Sequence, residues 1–98
     1  MKAKQLFDRR VAISETAFVE MVLWKVPTPV RASAHAFKYR LALIADGHCV
    51  LRFDNEAGKG DHIHIGGVER SYGFVDPDRL IADFMTEVNR WIDENRHA

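Results

Sequence analysis

Apolar positions along the chain recur first with the period of a strand and only at the end with that of a helix. Leu6-Phe7 and Val11-Ala12-Ile13 outline an edge strand interrupted by the charged Asp8-Arg9-Arg10, and Ser14-Glu15-Thr16 makes the turn after it. Phe18 to Val26 is apolar except for Glu20 and Lys25, the pattern of a strand buried on both faces. Pro27, Pro29 and Ser33, with the small residues around them, form a loop reaching Ala36. Asp46-Gly47 then separates residues 37–45 from 48–54. Such a pair suits a two-residue type I′ hairpin, because both central residues need positive φ. An unbroken ladder from that turn sets Ala45 opposite His48, Tyr39 opposite Asp54 and Lys38 opposite Asn55. Alternation then puts Val50, Arg52 and Asp54 on the face of Tyr39, Leu41 and Leu43, with Leu51, Phe53 and Asn55 on the other. A second tight turn falls at Gly66-Gly67. It sends Asp61, Ile63, Ile65 and Val68 to one face and His62, His64 and Glu69 to the other, outward or into a cleft.

The final segment changes period. Asp76 is placed as N-cap, Pro77 as the first helical residue, and Asp78 near the positive end of the dipole. Leu80, Ile81, Phe84, Met85, Val88, Trp91 and Ile92 then make one apolar stripe. The expected fold class is α+β: an antiparallel β-sheet built from hairpins and packed by one long C-terminal α-helix, with residues 1–98 as a single domain.

Composition removes several classes of function. The chain has 98 residues, 47% hydrophobic, with three prolines and six glycines, which excludes a disordered tail or a collagen-like repeat. No apolar run approaches the length of a membrane span and no signal-peptide core opens the chain, so the expectation is a soluble, cytoplasmic protein. The single cysteine, Cys49, excludes an internal disulfide and a Cys-rich zinc site. Net charge is zero, whereas nucleic-acid binders usually carry a basic excess. The halves differ, however: residues 1–52 hold nine Lys/Arg against four Asp/Glu, and residues 53–98 hold five against ten. A basic face backed by an acidic helix gives the same total.

The densest polar segment runs from Asp54 through Asn55, Glu56, Ala57, Gly58, Lys59, Gly60, Asp61, His62 and Ile63 to His64. Carboxylates, an ammonium and imidazoles are the groups that move protons near neutral pH. One chemistry they suit is metal-independent cleavage of RNA. In that reading His62 and His64 are acid and base, with Glu56 as a second candidate base. Lys59 meets the phosphorane charge, and Asp54, Glu56 and Asp61 orient or accept protons. Lys38, Arg40, Tyr39, His35, Asp54 and Asn55 are the candidate substrate contacts. No cofactor is needed. The other chemistry is a divalent zinc or manganese ion at His62 and His64, helped by Asp54, Glu56 or Glu69. A plain solvated loop has the same composition, and His48 and His97 read as surface residues. Gly58-Lys59-Gly60 lacks the spacing of a Walker A loop.

Three stretches carry a resemblance. Val22-Leu23-Trp24-Lys25-Val26-Pro27, then Ser33-Ala34-His35-Ala36-Phe37-Lys38-Tyr39-Arg40-Leu41, then Asp54 to His64, with Leu80-Ile81-Ala82-Asp83-Phe84 near the end, resemble the TumE family of toxin–antitoxin system toxins. The resemblance implies a small bacterial toxin, neutralised by a helix-turn-helix antitoxin. RNA as the target follows by analogy with other such toxins. The rival function is a non-catalytic protein-binding toxin or interaction module. No membrane partner is expected, and an exposed edge strand leaves a homodimer open.

Overall fold

Every break in apolar alternation except the charged Asp8-Arg9-Arg10 becomes a turn or loop, and the strands between the breaks pair in the order in which they occur. In the computed structural model, which describes residues 2–96, β1 (Lys4–Ala12), β2 (Ala17–Lys25), β3 (Phe37–Ala45), β4 (His48–Glu56), β5 (Gly60–Ile65) and β6 (Val68–Ser71) precede α1 (Pro77–Asn95). The strands form one antiparallel meander, β1-β2-β3-β4-β5-β6. Asp46 and Gly47 both have positive φ, 51° and 78°, which makes the β3–β4 connection the expected type I′ turn. Ala45 faces His48 and Ile65 faces Val68, as the two tight turns require. The fold is the α+β arrangement expected from the sequence.

The helix begins where its signals stand. Asp76 is extended, at φ −158° and ψ 170°, and its carboxylate accepts a hydrogen bond from Arg79 N at 2.7 Å. Pro77 follows as the first helical residue, where no intrahelical N–H is needed. Leu80, Phe84 and Val88 face the sheet and are fully buried against Val19, Leu41, Leu43 and Phe53. Phe84 meets Phe53 edge-on, with ring centroids 5.6 Å apart and planes at 85°, a favoured aromatic geometry. Tyr72, in the segment entering the helix, donates to Asp83 Oδ2 at 2.7 Å and so ties α1 to the end of β6.

Three expectations about the strands are corrected. β1 runs unbroken through Asp8-Arg9-Arg10. It is an edge strand, exposed over nearly its whole length, so charges interrupt no buried face there and also guard the edge. β2 is buried on one face only. Ala17, Val19, Met21 and Leu23 are buried, whereas Phe18, Glu20, Val22 and Trp24 are half-buried, because the single helix covers one side of the sheet. The third correction reaches the site. The β3–β4 ladder holds from Ala45/His48 to Ile44/Cys49 and then shifts, so that Leu43 faces Leu51, Leu41 faces Phe53 and Arg40 faces Asp54. Val50 is an extra residue, a β-bulge. Beyond it every β4 side chain changes face relative to the unbroken ladder. Leu51, Phe53 and Asn55 join Tyr39, Leu41 and Leu43 under the helix, and Arg52 and Asp54 go to the uncovered face. His48 is exposed as expected, and His97 lies outside the described residues. No helix among those residues is long and apolar enough to cross a membrane.

Candidate functional site

The alternation that builds β5 divides the polar segment between the two faces of the sheet. Asp61 and Ile63 point to the helix side, His62 and His64 to the uncovered side. The constellation that is continuous in sequence is therefore two clusters in space.

On the helix side, Asp61 is the hub of a clip that holds the proline-containing loop. Ser33 Oγ donates to Asp61 Oδ1 at 2.6 Å, and Tyr39 OH donates to Oδ2 at 2.7 Å. His35 Nε2 lies 2.6 Å from the same Oδ2. His35 Nδ1 accepts from Phe37 N at 3.2 Å, so the proton of the neutral ring sits on Nε2 and points at Asp61. Asn55, buried beside them, accepts from Tyr39 N at 3.0 Å and donates to Phe37 O at 2.6 Å and Ser33 Oγ at 3.3 Å. Phe74 stacks on His35, centroids 3.8 Å apart. Burial pushes the Asp61 carboxyl up, but the hydrogen bonds from Ser33, Tyr39 and His35 outweigh it and hold the group below the usual carboxylate value. The same burial, with Asp61 as acceptor, raises the Tyr39 phenol above its ordinary range.

Gly60 makes this clip fit. Its φ is +75°, and a Cβ there would stand 2.7 Å from Ala32 O, so both the backbone conformation and the close loop exclude a side chain. Gly60→Ala is expected to lower stability by about 1–3 kcal/mol, the cost of a strained left-handed residue plus the displaced loop. A urea-unfolding curve checks it, and a change within a few tenths of wild type would mean the loop moves aside freely.

On the uncovered side, Arg52 and Asp54 from β4 meet His62 and His64 from β5 and Glu69 from β6. Asp54 pairs with His62 in register and Arg52 with His64. His62 Nε2 is 2.7 Å from Asp54 Oδ1, and Arg52 Nε is 2.9 Å from Asp54 Oδ2. His64 Nδ1 lies 3.8 Å from Glu69 Oε2. Lys59 Nζ reaches both Glu56, at 3.7 Å, and Glu69, at 3.8 Å. His62 is buried, with a side chain 4% exposed, while that of His64 is 26% exposed. The rings meet edge-on at 4.7 Å. Beside this cluster opens a cleft of about 540 Å³ lined in part by Arg31, Lys38, Arg40, Asp54 and Glu56.

The structure thus brings His62, His64, Lys59, Glu56 and Asp54 to one face, with Lys38 and Arg40 at the neighbouring cleft, whose lining also includes Tyr39 and Asn55. It places Asp61, Tyr39, His35 and Asn55 together on the opposite face, where their polar atoms bind one another. Arg52, Arg31 and Ser33 were absent from the sequence-derived set. Arg52 had a signal, its i, i+2 spacing from Asp54 on a strand. Ser33 joins Asp61 across 28 residues, and nothing local marks that contact.

No curated protein and no solved structure matches the chain. A family model described as toxin TumE matches residues 3–92, nearly the whole length, and the chain belongs to that toxin family.

Proposed function

We propose that this toxin acts on RNA, cleaving the phosphodiester at the uncovered face of the sheet. The observation that carries this is the Asp54–His62–His64 group, whose ligand-capable atoms lie within 4.8 Å of one another, next to a cleft that presents Arg31, Lys38 and Arg40. Cations there suit a phosphate backbone, and the imidazoles suit proton transfer at the adjacent bond. In the reaction a base takes the proton of the 2′-hydroxyl and the 2′-oxygen bonds to phosphorus. The 5′-oxygen leaves with a proton from an acid, giving a 2′,3′-cyclic phosphate and a 5′-hydroxyl. His64 is the imidazole a substrate reaches; buried His62 positions Asp54 and its neighbour. Lys59 stands where it meets charge on the phosphorane. Asp61 has no part in this step, since it lies across the sheet and its carboxylate already holds three donors.

The toxin family implies an antitoxin partner, here assigned to the helix-turn-helix class, and an RNA target sets the action in the cytoplasm. The test is induction in a bacterial host, with total RNA read by primer extension and the purified protein assayed on RNA. Wild type is expected to arrest growth and create new RNA ends. His64→Gln should lower cleavage by about 100-fold with an unchanged circular dichroism spectrum. Arrest with intact RNA would overturn the proposal in favour of a toxin that binds and blocks a protein.

A further inference from the structure

The hydrogen-bond geometry around Asp54, His62 and His64 leaves one buried atom of each, Asp54 Oδ1, His62 Nε2 and His64 Nε2, without a hydrogen-bond partner. Gly60 O lies 2.9 Å from His62 Nδ1. A carbonyl only accepts, so Nδ1 carries a proton, and Nε2 is the ring nitrogen turned toward the cluster. That atom is 2.7 Å from Asp54 Oδ1, yet both atoms are buried without a hydrogen-bond partner. The carboxylate oxygen therefore stands off the axis along which an Nε2 proton would point. An off-axis contact of this kind is how two ligands of a single ion face each other. His64 Nε2 is the third such atom, also buried and unpartnered. Arg52 Nε is 2.9 Å from Asp54 Oδ2 and, like the three atoms above, has no hydrogen-bond partner; its charge lies beside Oδ2 and leaves Oδ1 to the histidines. Glu69 lies within 4.0 Å of both rings, and Lys59 approaches the cluster through Glu69 and Glu56.

We propose that Asp54, His62 and His64 form a binding site for a divalent transition-metal ion of the zinc class. Two imidazoles and one carboxylate are the donors such ions take, and three protein ligands leave one position open. The His62 Nδ1–Gly60 O bond is the outer support that fixes tautomer and ring orientation in metal-ligating histidines. The inference deepens the RNA reading and rests on it only for the ion's role. A bound ion supplies an activated water at the cluster, and His64 then holds the ion rather than the proton.

The test uses the untagged, full-length protein stripped with a chelator and dialysed. Zn²⁺ is titrated by calorimetry, and Co²⁺ is followed by its visible absorption. One ion per chain is expected, with the intense d–d bands of a four-coordinate Co²⁺ site. His64→Gln and Asp54→Asn should each weaken binding by roughly 100-fold, and His48→Ala, at an exposed turn, should not. Circular dichroism melts report folding. Because His62 is buried, the half-exposed His64 carries the test if a His62 variant fails to fold. Absence of saturable micromolar binding, or wild-type affinity retained in His64→Gln and Asp54→Asn, overturns the site. Undiminished RNA cleavage by the stripped protein overturns the ion's role and leaves the RNA reading standing. Stoichiometric binding without RNA cleavage supports the site and overturns the nuclease.

Discussion

Phe84→Ala is expected to lower the stability of this protein by about 3–5 kcal/mol, the usual cost of emptying a buried aromatic position. Phe84 is 0% exposed and lies edge-on to Phe53 at the middle of the helix–sheet interface. One helix and one face of one sheet make the whole core, so no second layer can settle into the cavity. A domain near 100 residues has only about 5–15 kcal/mol in total, and the loss corresponds to a fall in Tm on the order of 20 °C. Thermal unfolding followed by circular dichroism measures it. Phe84→Leu, which keeps most of the volume, should recover more than half of the difference. A fall of only a few degrees in the alanine variant would mean that α1 contributes little to holding the sheet.

The elements that could be read from the sequence are those whose cause is local. Asp46-Gly47 announces its turn because the backbone there needs positive φ at two successive residues. Asp76-Pro77 announces a helix start because the cap and the missing N–H act within one turn. The helical stripe is legible for the same reason, since three buried residues repeat at i, i+4 and i+8. What was illegible is set by tertiary structure. The bulge at Val50 lies in an apolar run, Cys49-Val50-Leu51, that looks identical with or without an extra residue, yet it decides which face Asp54 occupies. Had the ladder continued unbroken, Asp54 would sit with Tyr39, and His62, its partner in the β4–β5 register, would go with it to that face. The half-buried state of Phe18, Val22 and Trp24 likewise depends on the absence of a second covering layer, which no local pattern states. The alternation of β5 already parts Asp61 from His62 and His64 in the sequence; which of the two groups lies under the helix follows from that bulge. The partners of Asp61, Ser33 and His35, come from a loop 28 and 26 residues away; composition identified the loop and could not say what it touches.

Asp61→Ala is expected to cost about 3–5 kcal/mol, because it leaves the Ser33 hydroxyl, the His35 Nε2–H and the Tyr39 hydroxyl facing each other without an acceptor. Tyr39 is 3% exposed and cannot turn its hydroxyl to bulk water, and Asn55 loses part of its support through Ser33. The proline-containing loop should then come away from β5, widening the adjoining cleft and raising the exchange of the Gly58 amide, which donates to Arg31 O at 2.9 Å. The pH dependence provides a separate check. Because the Asp61 carboxyl titrates lower in the folded chain than its ordinary value, it stabilises the fold above the unfolded carboxylate range, near pH 4. That contribution fades as pH falls through the folded value, since the unfolded chain there takes up the proton more readily. Asp61→Asn keeps the shape but offers one acceptor oxygen instead of a carboxylate. Its unfolding free energy should therefore change less than that of wild type between neutral pH and pH 3. Parallel pH profiles for the two proteins would refute the assignment of Asp61 as the charged hub of the loop. A shallower profile for the variant would locate the acid sensitivity on the helix side of the sheet and separate it from the cluster proposed to meet RNA.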